Sequence, residues 1–326
     1  MNHTKTITAA LVMTIFTAAI HAQPANLDSA EIRVSHVQGN VYMVASAGGN
    51  MAVQLGKDGV LLVDTQYAAL APRILAEIRK LPNGQGAIRN IINTHLHPDH
   101  TGPNDAFAKL APRSQVEPLK IMAQTNVLGR MTKLPSLPEF GLPIDEYFTA
   151  QRDFHFNGEA IILHHEPNAH TDGDTVVLFR GSDVVATGDI FTPAGYPFID
   201  IANGGSIQGE INALGHILQL TVPAHTQEGG TYVIPGHGRI CDEADVVEYR
   251  DMIVIIRDRI RDMMKKNMTL DQIKAAKPSR DYDTEYVKPA SFIKADPFVE
   301  SIYKSLQGAS KCTSEPYWLL LLQQPR

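Results

Sequence analysis

Residues 88–102 read IRNIINTHLHPDHTG, an apolar run that leads straight into three histidines and an aspartate. The run has the length and β-branched content of a buried strand. His95 and His97 stand two residues apart at its end, so both side chains can share one face. Pro98 ends the strand, which puts Asp99 and His100 on the turn into the next helix. A His-x-His pair followed by Asp-His offers two groups of donors, an arrangement that suits two metal ions better than one. The competing reading is a polar surface loop, and the flanking sequence has to decide.

Upstream, VYMVAS (41–46), MAVQLG (51–56) and VLLVDT (60–65) are short apolar runs broken by GGN and KDG, the grammar of a strand meander. Ile74, Leu75, Ile78 and Leu81 then fall at helical spacing over 69–81, with Asn83-Gly84 as the stop. Downstream, EAIILHH (159–165), DTVVLFR (174–180), SDVVATG (182–188) and TYVIPG (231–236) read as strands. Residues 243–266 form the clearest helix, with Tyr249, Ile253, Ile256, Ile260 and Met263 as its apolar stripe and Asp242 as its cap. Thr269 with Gln272 reads as the capping box of a short helix. Strands alternating with helices predict a layered α/β domain.

Three further donors stand just past apolar strands: His170 before Thr171-Asp172-Gly173-Asp174, Asp189 at the end of VVATGD, and His237 in PGHG. Each alone reads equally as a turn or cap residue, but together they place donors on one edge of the sheet layer, where α/β scaffolds build sites.

The order H-x-H-x-D-H, loop histidine, G-D, P-G-H-G resembles the metallo-β-lactamase-fold hydrolase superfamily, over about residues 40–245. LLVDT around Asp64 resembles that family's early motif, whose aspartate supports the metal loop without binding metal. The resemblance implies a four-layer αββα sandwich with extra C-terminal helices. It implies that His95, His97 and His170 hold one metal, that Asp99, His100 and His237 hold a second, and that Asp189 bridges them. Two of the three true β-lactamase subclasses carry cysteine at the position assigned to Asp189, and the third has neither, so the aspartate resembles the glyoxalase II, lactonase and phosphodiesterase branches. Cys241 is not needed as a ligand, because seven positions are filled without it. Glyoxalase II's basic glutathione-binding cluster has no clear counterpart in the chain.

Imidazoles and carboxylates without thiolate suit Zn(II), two per chain, with iron or manganese as the other metals the set accepts. The implied reaction is attack of a metal-held hydroxide on a carbonyl of an ester, thioester, lactone or amide, with Asp99 orienting the nucleophile. The alternatives are a class B-like β-lactamase and a mononuclear-iron oxidoreductase of the same fold. Loops 48–51, 131–148 and 191–205 are the expected pocket rim. Within the last, Tyr196 and Asn203 are candidate oxyanion donors, with loop packing as the competing reading.

Residues 1–22 read as a secretory signal peptide, with an N-terminal anchor as the alternative: Lys5 is the one formal charge before Asp28, and ITAALVMTIFTAAI (7–20) is short for a membrane span. The expectation is a secreted or periplasmic protein with no integral membrane segment after cleavage. The domain expected at 23–245 is followed by a helical extension, 246–326, packed on it. Cleavage leaves 28 basic against 35 acidic residues, about −7, which argues against nucleic acid and for a small-molecule substrate. Two cysteines, Cys241 and Cys312, are compatible with a disulfide or with none. GGSIQG (204–209) is not a nucleophile elbow, because its second glycine comes one residue late.

Overall fold

Strands that are apolar on both faces need a partner layer on each side, and this chain supplies both. The computed structural model describes residues 27–110, 118–134, 140–227, 229–289 and 291–312. The signal-peptide reading, the YWLLLL tail (317–322) and the side chain of Cys312 lie outside these; Cys241 is a buried free thiol.

The first sheet has seven strands in sequence order: β1 (Arg33–Gln38), β2 (Val41–Ser46), β3 (Gly49–Gly56), β4 (Gly59–Val63), β5 (Ile88–Ile92), β6 (Lys120–Gln124) and β7 (Asp145–Tyr147). β1 to β4 form an antiparallel meander, and β4 to β7 run parallel. The second sheet orders β12 (Tyr232–Ile234), β11 (Val184–Ala186), β10 (Asp174–Phe179), β9 (Glu159–Glu166) and β8 (Gln151–Phe156). Only β11 and β12 pair in parallel there.

Period-two alternation separates the two faces of each sheet. In β4, Leu61 and Val63 join the core between the sheets, while Val60 and Leu62 face α1 (Ala71–Ile78). In β10, Val177 and Phe179 point to the same inter-sheet core, and Val176 and Leu178 point outward. α1 buries Ile74, Leu75 and Ile78 on one face, as their spacing predicts, each worth about 1.5–3 kcal/mol. A short α2 (Pro98–Thr101) and α3 (Asn104–Leu110) follow β5, and α4 (Thr125–Met131) follows β6. The second sheet is covered by α5 (Ile207–Leu220) and α6 (Glu243–Lys265), then α7 (Leu270–Ala276), α8 (Arg280–Tyr286) and α9 (Ala295–Cys312). The result is the αββα sandwich with additional C-terminal helices.

The capping boxes at Asp242/Asp245 and Thr269/Gln272 are both formed. The 69–81 helix is shorter than its periodicity suggests: α1 ends at Ile78, and one 3₁₀ turn (Ala68–Leu70) precedes it. No helix among the described residues is long and apolar enough to cross a membrane.

Candidate metal centre

The loops after β4, β5, β11 and β12, and the β9–β10 connection, converge on one edge of the sandwich. β5 ends at Ile92, so His95 and His97 lie on the loop beyond it rather than on the strand itself. Pro98 starts α2, which carries Asp99 and His100. Asp64 holds this loop from behind. Its backbone sits at φ 63°, sparsely populated for a residue with a side chain. From there its carboxylate accepts Thr94 N at 2.8 Å, Thr94 Oγ1 at 2.7 Å and His100 Nδ1 at 2.7 Å.

The partners fix the tautomers of three rings. Thr94 Oγ1 gives its proton to Asp64, so His95 Nδ1 must donate to Thr94, at 3.0 Å. His97 Nε2 donates to Asp200 at 2.8 Å, and His170 Nδ1 donates to the Phe198 carbonyl at 2.6 Å. The remaining nitrogens are lone pairs: His95 Nε2, His97 Nδ1 and His170 Nε2. They face one another at 3.1 and 3.0 Å with no proton left to place between them. Three mutually facing lone pairs are repulsive unless a cation sits among them. Ligands 2.0–2.1 Å from a tetrahedral zinc stand roughly 3.3–3.4 Å apart, close to what the rings present.

Asp189 completes this group and reaches a second one. Its Oδ2 lies 4.0 Å from His95 Nε2 and 3.9 Å from His170 Nε2. Its Oδ1 lies 3.3 Å from His100 Nε2 and 3.4 Å from His237 Nε2. Asp99 Oδ2 stands 3.5 Å from His237 Nε2 and 3.8 Å from His100 Nε2. Asp99 Oδ1, His100 Nε2 and Asp189 Oδ1 are buried without a hydrogen-bond partner. Orphaned polar atoms of this kind carry a desolvation cost that a bound cation removes. His95, His97, His170 and Asp189 thus form one donor cluster, and Asp99, His100 and His237 a second, all residues that fit divalent metal.

The two clusters differ electrostatically. Burial, reinforced by the neighbouring imidazoles, holds His95 well below the ordinary histidine range and His170 at about 4, so both are neutral donors. Burial also acts against charge on His100, but Asp189, Asp64 and Asp99 outweigh it and push that ring well up. His237 is likewise raised to about 9 against its burial, chiefly by Asp189. Burial would raise Asp99, yet His100 and His237 hold it down at about 2. The same cluster of carboxylates favours a divalent cation, whose binding would displace those protons.

Close packing brings Asp189 to the PGHG loop. A Cβ on Gly236 would overlap Asp189 Oδ1 and the Gly188 backbone, so only glycine lets the two loops meet. Asn50 ties the same loop down from β3, donating to the carbonyls of Pro235 at 2.9 Å and Gly238 at 3.1 Å.

The two candidate oxyanion donors are engaged elsewhere. The Tyr196 ring lines the cavity above the donors, but its hydroxyl donates to Asp283 Oδ1 at 2.9 Å and lies 3.2 Å from the Ser279 carbonyl. Asn203 donates to Asp200 at 2.7 Å and accepts from Arg130, which also grips Asp172. It steadies the aspartate that orients His97, and its amide is spent there. Cys241 belongs to neither donor cluster; its thiol lies 3.4 Å from the Arg239 carbonyl.

Sequence reading missed Asp200, whose link to His97 spans 103 positions. Its one local signal is an N-cap bond from Asn203 N at the start of a 3₁₀ turn, a feature of many loops. Also missed was the C-terminal contribution to the cavity, Lys288, Ser291, Phe292 and Ile293. Of the expected rim loops, 191–205 lines the cavity with Thr192, Ala194 and Phe198, whereas the described part of 131–148 contributes nothing to it.

The sequence model of the metallo-beta-lactamase superfamily matches residues 36–238. No curated protein is significantly similar in sequence. Among solved structures, the fold resembles that of the stereoselective inverting sec-alkylsulfatase Pisa1 from a Pseudomonas species, with TM-score 0.66 and 14% identity over 88% of this chain and 52% of that one. The chain therefore spans about half the alkylsulfatase's length. It also resembles a metallo-beta-lactamase from Pontibacter korlensis (TM-score 0.53, 14% identity, 69% of this chain and 99% of that one). A third similar structure is the DIM-1 metallo-beta-lactamase (TM-score 0.52, 18% identity, 69% and 97%).

Proposed function

The chain belongs to the metallo-beta-lactamase superfamily, and from that premise we propose that it is an exported, zinc-dependent hydrolase of ester-type carbonyl bonds. The observation that carries the reading is the convergence of three imidazole lone pairs beside a second donor cluster that shares Asp189. His95, His97, His170 and Asp189 would hold one ion, and Asp99, His100, His237 and Asp189 the other. Zinc held by these residues would supply Lewis acidity and lower the pKa of water toward neutral; iron or manganese would fit the same donors.

The chain's own residues do the rest. Asp99 Oδ1 has no hydrogen-bond partner, and Asp99 lines the cavity, which supports a role in orienting the attacking water and taking its proton. Asp200 holds the His97 ring in its donor tautomer. Phe198, Phe292 and Ile293 give the cavity beside these donors an apolar wall.

A sulfate ester is the second reading. It is favoured by the alkylsulfatase likeness extending over 88% of the chain, where the β-lactamase likenesses cover 69%. β-Lactam opening is the third outcome the assay distinguishes. The test compares p-nitrophenyl esters, a lactone, an alkyl sulfate and a chromogenic cephalosporin, with zinc removed by chelator and then restored. The reading expects kcat/KM above ~10⁴ M⁻¹s⁻¹ on the best carbonyl ester, lost with the metal and regained with it. No metal-dependent hydrolysis of any of the four would overturn it. Export rests on residues 1–22 and is tested by the N-terminal mass of the secreted or periplasmic protein, expected to begin at Gln23.

A further inference from the structure

Above the donors lies a cavity of about 540 Å³ whose floor is Asp99, Asp189 and His237. Its walls are of another character. Phe198 comes from the loop after the Asp189 turn, and Phe292 and Ile293 come from the connection between α8 and α9, well past the family match at residue 238. The Phe198 and Phe292 rings meet edge to face at 5.7 Å. Phe292 is nonetheless 63% exposed, and Ala47 and Ala194 beside the cavity are also exposed. Among the described residues, Phe292 is the large exposed apolar side chain that lines this cavity. Lys288 is, among the described residues, the one lysine or arginine in the lining, too little charge to recognise a polyanionic substituent.

A pocket of this volume has far more room than a small acyl group needs, and the surplus is walled by apolar atoms whose contact with water is relieved only by an apolar ligand. We infer that the Phe198–Phe292–Ile293 wall is a subsite for an apolar, chain-like substituent of the substrate, with Phe292 as its specificity-determining side chain. The subsite deepens the hydrolase reading above, which supplies the reacting bond; the C-terminal extension supplies the selectivity.

The test measures calorimetric binding of linear carboxylates, acetate through octanoate, to the zinc-loaded full chain, so the readout is affinity rather than turnover. The carboxylate head stands for the product of ester hydrolysis. Affinity is expected to rise about threefold to fourfold per added methylene between butanoate and octanoate. Phe292→Ala should weaken octanoate about tenfold while leaving acetate within about twofold, and Phe292→Leu should restore most of the loss. Phe148→Ala, at a still more exposed phenylalanine that does not line the cavity, should change neither. Flat affinity along the series, or equal loss of acetate and octanoate in Phe292→Ala, would overturn the subsite. Steep chain-length dependence without turnover of any ester would uphold the subsite and count only against the reaction.

Discussion

Replacing Asp200 by alanine should weaken one metal site and spare the other. Asp200 touches no proposed metal position. It accepts His97 Nε2–H at 2.8 Å, and its own carboxylate is fixed by Asn203 N at 3.1 Å and Asn203 Nδ2 at 2.7 Å. Burial works against the Asp200 charge, but the hydrogen bonds from His97 and Asn203 hold it well below the usual carboxylate range, so it stays an anionic acceptor. Without it the His97 ring loses a charge-assisted hydrogen bond of about 1.5–3 kcal/mol, and the tautomer with a proton on Nδ1 begins to compete with the donor form. The expected fall in zinc affinity is about 10–100-fold, or roughly 1.4–2.7 kcal/mol. Asp200→Asn keeps an acceptor oxygen but not the charge and should fall nearer tenfold. The assay is zinc titration against a chromophoric chelator, repeated in a His237→Ala background so that the first cluster is read alone. Zinc affinity in Asp200→Ala within twofold of its parent would refute the reasoning.

Three other outcomes follow from the same geometry. Tyr196→Phe removes the hydroxyl held between Asp283 and Ser279; it should cost about 1–2 kcal/mol in thermal unfolding and leave kcat/KM within threefold, whereas an oxyanion role would require a loss of about 10²–10³. Gly236→Ala puts a Cβ onto Asp189 Oδ1 and should lower both Tm and the number of zinc ions retained after dialysis; retention equal to wild type would show that the loop yields. His164 is held at about 4, against an ordinary 6.5, by burial first and the His216 charge second. The unfolded chain therefore binds the extra proton between these values, so stability rises with pH across the window and is lost as pH falls through it. Between pH 7 and pH 5 the loss is about 2 kcal/mol, and parallel Tm-against-pH curves for wild type and His164→Leu would contradict the assignment.

How much of this was readable beforehand depends on where the information sits along the chain. The donors were legible because each follows a short apolar run, and parallel strands deliver their ends to one edge. Asp64 was legible through its place in LLVDT, although the left-handed backbone that aims it was not. α5 was missed because Gly209 and Gly215 interrupt its helical propensity; Gly209 is there to let the helix approach the Asn168 carbonyl, a tertiary demand that local preference does not register. β8 was missed because QRDFHF is an edge strand whose residues are half-buried or exposed, with no apolar run to mark it. Asp200 and Phe292 act on residues about a hundred positions away, His97 and Phe198 respectively, and nothing in their own neighbourhoods announces it.

The metal stoichiometry of the folded chain tests the paired donor clusters most directly. Calorimetric titration of the metal-free protein with zinc should give two equivalents per chain, falling to one in His237→Ala as its cluster of Asp99, His100 and His237 loses a donor. One equivalent or none in the wild-type protein, correctly folded by its Tm and circular dichroism, would contradict the pairing.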